Sequence, residues 1–286
     1  MRLFVFGLGY TALRLASRLQ GDGWDITGTC RTEQGLEAMR DRNIHATLFD
    51  GLHPMADKTA LMTATHILVS TPPDSEGDPA LRHHGQDIVA ISGLKWLGYL
   101  STTGVYGDHQ GGWVDEDTPC TPTSDRGHRR QAAEQGWMQH HTDHKVPVHL
   151  FRLPGIYGPG RSALDTLRQG RTRRIYKEGQ VFCRIHVDDL VSGLAASIAN
   201  PRPGAAYNLT DDEPAPPQDV TAYAANLMGL EPEPLTPIDE AELTPMGRSF
   251  YGECKRVKNN RMTDELGVKL AYPTYREGLT AILAQK

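Results

Sequence analysis

The segment Phe4-Val5-Phe6-Gly7-Leu8-Gly9-Tyr10-Thr11-Ala12 constrains the fold more tightly than any other part of the chain. An apolar run ends in one glycine, a second glycine follows two positions later, and Ala12 lies three beyond that, inside a helix-period stretch. In such a G-x-G-x-x-A turn the first glycine allows a sharp bend out of a strand and the second lets backbone approach a pyrophosphate. The small third residue keeps the helix against the sheet. The start of the helix then offers free N–H groups and the positive end of its dipole to the phosphates. Gly7, Gly9, Tyr10, Thr11 and Ala12 are therefore expected to hold a dinucleotide.

Short apolar runs recur through the first half at Leu3 to Phe6, Ile26 to Thr29, Ala46 to Phe49, Ile67 to Ser70, Trp96 to Ser101 and Val148 to Leu153. Between them lie helix-period segments, Thr11 to Gln20, Thr32 to Asp41, Ala80 to Ser92 and Arg126 to His144. This alternation predicts an α/β fold, a Rossmann-type doubly wound parallel sheet of about six or seven strands with helices on both faces. Beyond residue 153, Gly- and Pro-rich stretches such as LPGIYGPG, EPAPPQ and EPEPLTP separate shorter elements. Among these are a strand near Gln180 to Ile185, a helix from Val187 to Ala199, a strand at Ala206 to Leu209, and helices at Gln218 to Met228 and Tyr275 to Ala284. The expected division is a dinucleotide-binding domain over 1–153 and a small C-terminal α/β substrate lobe over 154–286, with some elements returning to the first domain.

The second apolar run ends in Cys30-Arg31-Thr32, where an NAD enzyme usually offers a carboxylate to the ribose 2′-hydroxyl. A guanidinium there pairs with a 2′-phosphate instead, so NADP(H) is expected in preference to NAD(H). The whole chain carries 30 Lys and Arg against 35 Asp and Glu, a formal charge of -5, which disfavours nucleic acid as a partner. Its four cysteines are widely spaced and form no zinc-like pattern. The chain opens directly on an apolar run, without a leader or a membrane-length segment. A cytoplasmic protein without membrane association is expected.

Several further segments stand in an order that resembles the extended short-chain dehydrogenase/reductases, the NAD-dependent epimerase/dehydratase group acting mainly on nucleotide sugars. They are Asp50 after the third run, STTGVYG at 101–107, FRLPGIYGPG at 151–160, RIHVDDL at 184–190 and YNLT at 207–210. By position, the resemblance implies that Asp50 contacts adenine and that Ser70, Thr71 and Pro72 border the cofactor ribose. It puts Ser101 beneath the nicotinamide, Thr102 at the family's catalytic hydroxyl, and Pro154 and Thr32 beside the cofactor. On the substrate side it implies Thr103, Arg161, Arg184 and His186.

The chain departs from the pattern at the family's Y-x-x-x-K. Counted back from Ala132-Ala133-Glu134, the tyrosine position holds Arg126 and the lysine position Arg130. Arginine stays protonated at neutral pH, so Arg126 does not replace a tyrosine acid/base, whereas Arg130 retains donors for the ribose. Thr103 and Gly104 stand where dehydratases of the group carry Asp and Glu. The pattern is similar to the atypical members of the superfamily. It implies cofactor binding more strongly than turnover, with Thr102, Arg126 and Arg130 as the candidates for chemistry.

Seven basic residues between Arg161 and Arg184 face only Asp165 and Glu178, which suits an anionic small molecule or a solvated face. His140, His141 and His144 lack the logic of a metal motif, and no metal is expected. Trp137 and Met138 sit on a helix that pairs across dimers in relatives, but its other residues are unusually polar, which leaves monomer or homodimer open. The expectation is an NADP(H)-binding oxidoreductase or epimerase-like protein acting on an anionic small molecule such as a nucleotide sugar. The alternative is a non-catalytic NADP(H)-binding regulator or redox-sensing scaffold.

Overall fold

The computed structural model describes residues 1–171 and 173–285, and the chain divides into two compact units. Unit 1 comprises Met1–Thr102, His128–Arg152 and Leu194–Tyr207; unit 2 comprises Thr103–Gly127, Leu153–Gly193 and the chain from Asn208. The units are discontinuous in sequence and not divided once near residue 153. Residues 103–127 leave the first unit immediately after its fifth strand, and Leu194–Tyr207 returns to it.

Unit 1 is built on a parallel seven-stranded sheet. Its strands are β1 (Arg2–Phe6), β2 (Asp25–Cys30), β3 (His45–Leu48), β4 (His66–Val69), β5 (Trp96–Thr102), β7 (Val148–Leu153) and β11 (Ala206–Asn208). The order is β11-β7-β5-β4-β1-β2-β3, so the chain reverses its direction of travel across the sheet after β3. The helices are α1 (Tyr10–Gly21), α2 (Glu33–Arg40), α3 (Thr59–Met62), α4 (Pro79–Val89) and α5 (Asp125–His144). Alternate residues of the strands, Phe4, Phe6, Ile67, Val69, Leu97 and Tyr99, pack with Ala80 and Ile88 of α4 and Ala133 and Trp137 of α5. Leu3 and Val5 are equally buried and belong to the opposite pleat, as a strand covered on both faces requires. No helix among the described residues is long and apolar enough to cross a membrane.

Beneath the end of β5 lies a buried charge pair. Arg152 donates from Nη2 to Glu134 Oε2 at 2.9 Å, and Ser101 Oγ donates to Glu134 Oε1 at 2.5 Å. Glu134 and Arg152 are 4% and 7% exposed, so each charge depends on the other for solvation it has lost.

Unit 2 contains short paired strands: β6 (Trp113–Val114) with β13 (Arg256–Val257), β8 (Gly155–Tyr157) with β10 (Arg184–His186), and β9 (Arg174–Tyr176) with β12 (Leu235–Pro237). The expected strand at Gln180 to Ile185 is shorter, because Gly179 at φ +70° turns the chain and Gln180 N–H closes on Lys177 C=O. Helix α7 (Val187–Ala199) follows β10 directly. Helices α6 (Ala163–Arg168), α8 (Pro217–Leu227) and α10 (Tyr275–Ala284) share a core of Tyr157, Leu164, Val220, Ala224, Tyr275 and Leu279, and α9 (Pro245–Phe250) lies outside that core.

Removing one partner of the Glu134–Arg152 pair should be far more costly than removing the hydroxyl. Urea unfolding of Glu134→Ala is expected to show a loss of about 3 kcal/mol, against about 1 kcal/mol for Ser101→Ala. Equal small losses would show that the pair is not the anchor of this region.

Candidate dinucleotide and anion sites

In unit 1 the candidate residues gather at the carboxyl ends of the strands. Gly7 leaves β1 at φ +88°, a conformation that L side chains rarely adopt, and an added Cβ would come within 3.1 Å of Thr71 Cγ2. Thr29 holds the turn from β2: its Oγ1 accepts from Gly7 N–H and its C=O from Leu8 N–H, both at 2.9 Å. Gly9 is the N-cap of α1 and provides no side-chain cap, α1 has no acidic residue in its first turn, and space is open around the Gly9 Cα. Thr11 and Ala12 are buried against the sheet. A backbone cradle next to an uncapped helix start suits a phosphate group. Thr71 Oγ1, buried beside Gly7 without a hydrogen-bond partner, is a further polar group at this turn.

The neighbouring strand ends contribute unevenly. Arg31 follows β2 and is exposed. Thr32 spends its hydroxyl on capping α2, accepting from Gly35 N–H at 3.1 Å. Asp50 accepts from the N–H groups of Leu52 and His53, which hold its carboxyl below the usual range and shape the loop after β3. Ser70 ties β4 to β1 through its N–H, which donates to Phe6 C=O; Ser70 is half-buried and Pro72 exposed.

Two candidate side chains are engaged within unit 1. The Ser101 hydroxyl is turned into the Glu134–Arg152 pair, so only its backbone is available to a ligand. Arg130 donates from Nη1 to Leu100 C=O and lies 5.7 Å from the Tyr99 ring centre, so that nitrogen is engaged on β5. Thr102 ends β5 half-buried.

In unit 2, Arg126 is exposed in the first turn of α5, 5.7 Å from the Phe250 ring centre. Pro154 is half-buried between β7 and β8. Thr103, in the short helix after β5, is only 8% exposed. His186 is fully buried between Tyr157 and Tyr272, with ring centres at 5.2 and 4.1 Å, and its Nδ1 accepts from Asp188 N–H. It packs as a core histidine and is not among the residues that line the cavity around Arg161 and Arg184. His140 and His141 of unit 1 each direct Nδ1 to a backbone carbonyl, and the described residues contain no group of three metal-binding side chains.

Arg161 and Arg184, expected at the substrate, do come together in unit 2. With Arg171 they line a cavity of about 470 Å³, alongside Tyr157, Thr166, Thr221 and Tyr275. Asp165 also lines it, but accepts from Ser162 and Arg168, so three guanidiniums face a carboxylate already in use. Arg184 is itself anchored, Nη1 donating to Phe182 and Ala215 C=O, and elsewhere in the run Arg174 binds Glu233 C=O at 2.8 Å and Lys177 binds Tyr251 C=O. Burial pushes the phenol of Tyr157 well above its usual range, so it keeps its proton and does not stand in for the missing tyrosine base.

Sequence reasoning missed Tyr157 and Tyr275 as cavity residues, and Asp211 as a buried acid. Asp211 is 2% exposed, and burial outweighs the pull of Arg184 to push its carboxyl up to about 8. Its place in the run Asp211-Asp212-Glu213 carries no sequence signal of burial.

Comparison with known proteins places this geometry in context. Residues 86–210 match the model of the NAD dependent epimerase/dehydratase family. A solved conserved protein of unknown function from Silicibacter pomeroyi DSS is 52% identical, with a TM-score of 0.92 over 99% of this chain and 98% of that one. Protein YeeZ of Escherichia coli K12 is 28% identical over 288 residues, covering 95% of this chain and 96% of its own. dTDP-glucose 4,6-dehydratase from Bacillus anthracis, solved in complex with NAD, shares the fold at a TM-score of 0.78 and 17% identity, over 99% of this chain and 96% of that one.

The two glycines of the turn should separate cleanly. Gly7→Ala is expected to lose about 1–2 kcal/mol of stability to left-handed strain, whereas Gly9→Ala should stay within about 0.5 kcal/mol. Thermal melts measure both, and equal losses would contradict the assignment of the bend to Gly7.

Proposed function

Because the chain belongs to the NAD-dependent epimerase/dehydratase family of extended short-chain dehydrogenases/reductases, we propose that it is an NADP(H)-binding oxidoreductase or epimerase-like protein for an anionic small molecule such as a nucleotide sugar. The observation that carries the reading is the left-handed Gly7 turn followed by the uncapped start of α1 beside open space at Gly9. Bound there, the nicotinamide would supply hydride exchange. The amides of residues 9–12 would hold its pyrophosphate, and Arg31 would meet a 2′-phosphate with a planar pair of donors. The arginine cavity of unit 2 offers fixed positive charge to the anionic part of the substrate.

Thr102 is the group proposed to orient a substrate oxygen. The Tyr-Lys proton route is absent, since Arg126 and Arg130 hold those positions and Arg130 is bound to β5. That arrangement also favours a second reading, a protein that binds NADP(H) and reports its redox state without turnover. Binding of both redox forms, with no change in cofactor absorbance across alcohols, ketones and nucleotide sugars, would support it.

Calorimetric titration with NADPH and NADH tests the cofactor. The wild type is expected to bind NADPH about 10- to 100-fold more tightly, the worth of a charge-assisted pair, and Arg31→Ala should bring the two affinities together. Equal affinities in the wild type would overturn the choice of NADP(H).

A further inference from the structure

A second cavity in unit 2, of about 260 Å³, shares no lining residue with the arginine cavity. It is formed by Trp113, Asp211, Asp212, Val257, Lys258, Asn259 and Asn260. Trp113 is 54% exposed, whereas Trp24, Trp96 and Trp137 are buried. Among the lining residues is Asp211, whose Oδ1 accepts from Glu213 N–H at 3.3 Å and whose Oδ2 is buried with no hydrogen-bond partner. A buried carboxyl oxygen left unsatisfied costs free energy that a bound ligand can recover. Asn259 uses Nδ2 on Thr210 C=O and Asp212 Oδ1, which holds that wall rigid.

We propose that this cavity is a binding site for a neutral polyhydroxylated ligand, a single sugar ring, with one face against Trp113 and its hydroxyls shared among Asp211, Asp212 and the two asparagines. The chemistry of the lining selects among ligand classes. An indole face attracts the C–H edge of a sugar ring, and carboxyl and amide groups match hydroxyls that both donate and accept. Burial pushes the Asp211 carboxyl up to about 8, and the charges of Asp212 and Lys258 oppose each other, so the walls favour neither an anion nor a cation. The site is independent of the dinucleotide reading, and its test needs no cofactor.

Tryptophan fluorescence provides that test, because Trp113 is the one exposed indole of the four. Titration with methyl α- and β-glucopyranoside and methyl β-galactopyranoside is expected to give a saturable change at millimolar concentration for at least one glycoside. Ligand-detected NMR should show binding weakened about three- to tenfold in Trp113→Ala, the range of a lost aromatic contact, and a similar or greater loss in Asp211→Ala. Trp113 is at the surface, so its variant remains informative even where Asp211→Ala fails to fold. Asp211→Asn, which keeps a donor at the same atom, should retain binding. No saturable response to any glycoside, undiminished binding in Trp113→Ala, or tighter saturation by sodium acetate or methylamine would each overturn the proposal.

Discussion

The hydrogen-bonded bend at Gly7 is the constraint on which the candidate site of unit 1 depends. β1 must stop at Phe6 and α1 must begin by Tyr10, and the chain makes the change with one left-handed glycine locked from β2 by Thr29. That bend sets Gly9 beside open space, leaves the first turn of α1 without a side-chain cap and puts Thr71 of the next strand end against the turn. Arg31 and Asp50 reach the same edge because β2 and β3 lie parallel to β1 in sequence order, while the reversal after β3 brings β4 to its other side.

The glycine turn and the sheet were legible in the sequence because both are local signals. A strand buried on both faces must be apolar throughout, and a turn at φ +88° must be glycine, so periodicity and two residues suffice. The seven-strand count was within reach, but the departure of residues 103–127 was not: nothing local marks them as part of unit 2. Side-chain commitments were equally hidden. Ser101 sits at the position of a cofactor residue by spacing and is occupied by Glu134, a residue that served in the sequence only as a counting mark. His186 lies in a motif-like segment yet fills a core gap between two tyrosines. Of seven basic residues in one run, only three line the cavity, because pairing with distant carbonyls such as that of Glu233 depends on the tertiary fold.

Arg126 and Arg130 stand where the family resemblance puts a Tyr-Lys pair. A guanidinium keeps its charge at any physiological pH, and the one at Arg130 is tied to the β5 backbone while that at Arg126 lies near Phe250. Neither guanidinium suits proton transfer at neutral pH. Asp211, whose carboxyl burial pushes up to about 8, lines the second cavity of unit 2 and not the arginine cavity.

A crystal structure of the chain soaked with NADPH tests the central claim most directly. The account predicts pyrophosphate oxygens within about 3 Å of the amide nitrogens at the start of α1, with the adenosine end directed along the edge toward Arg31 and Asp50. Nucleotide density bound away from residues 7–12, with that turn left free, would contradict it.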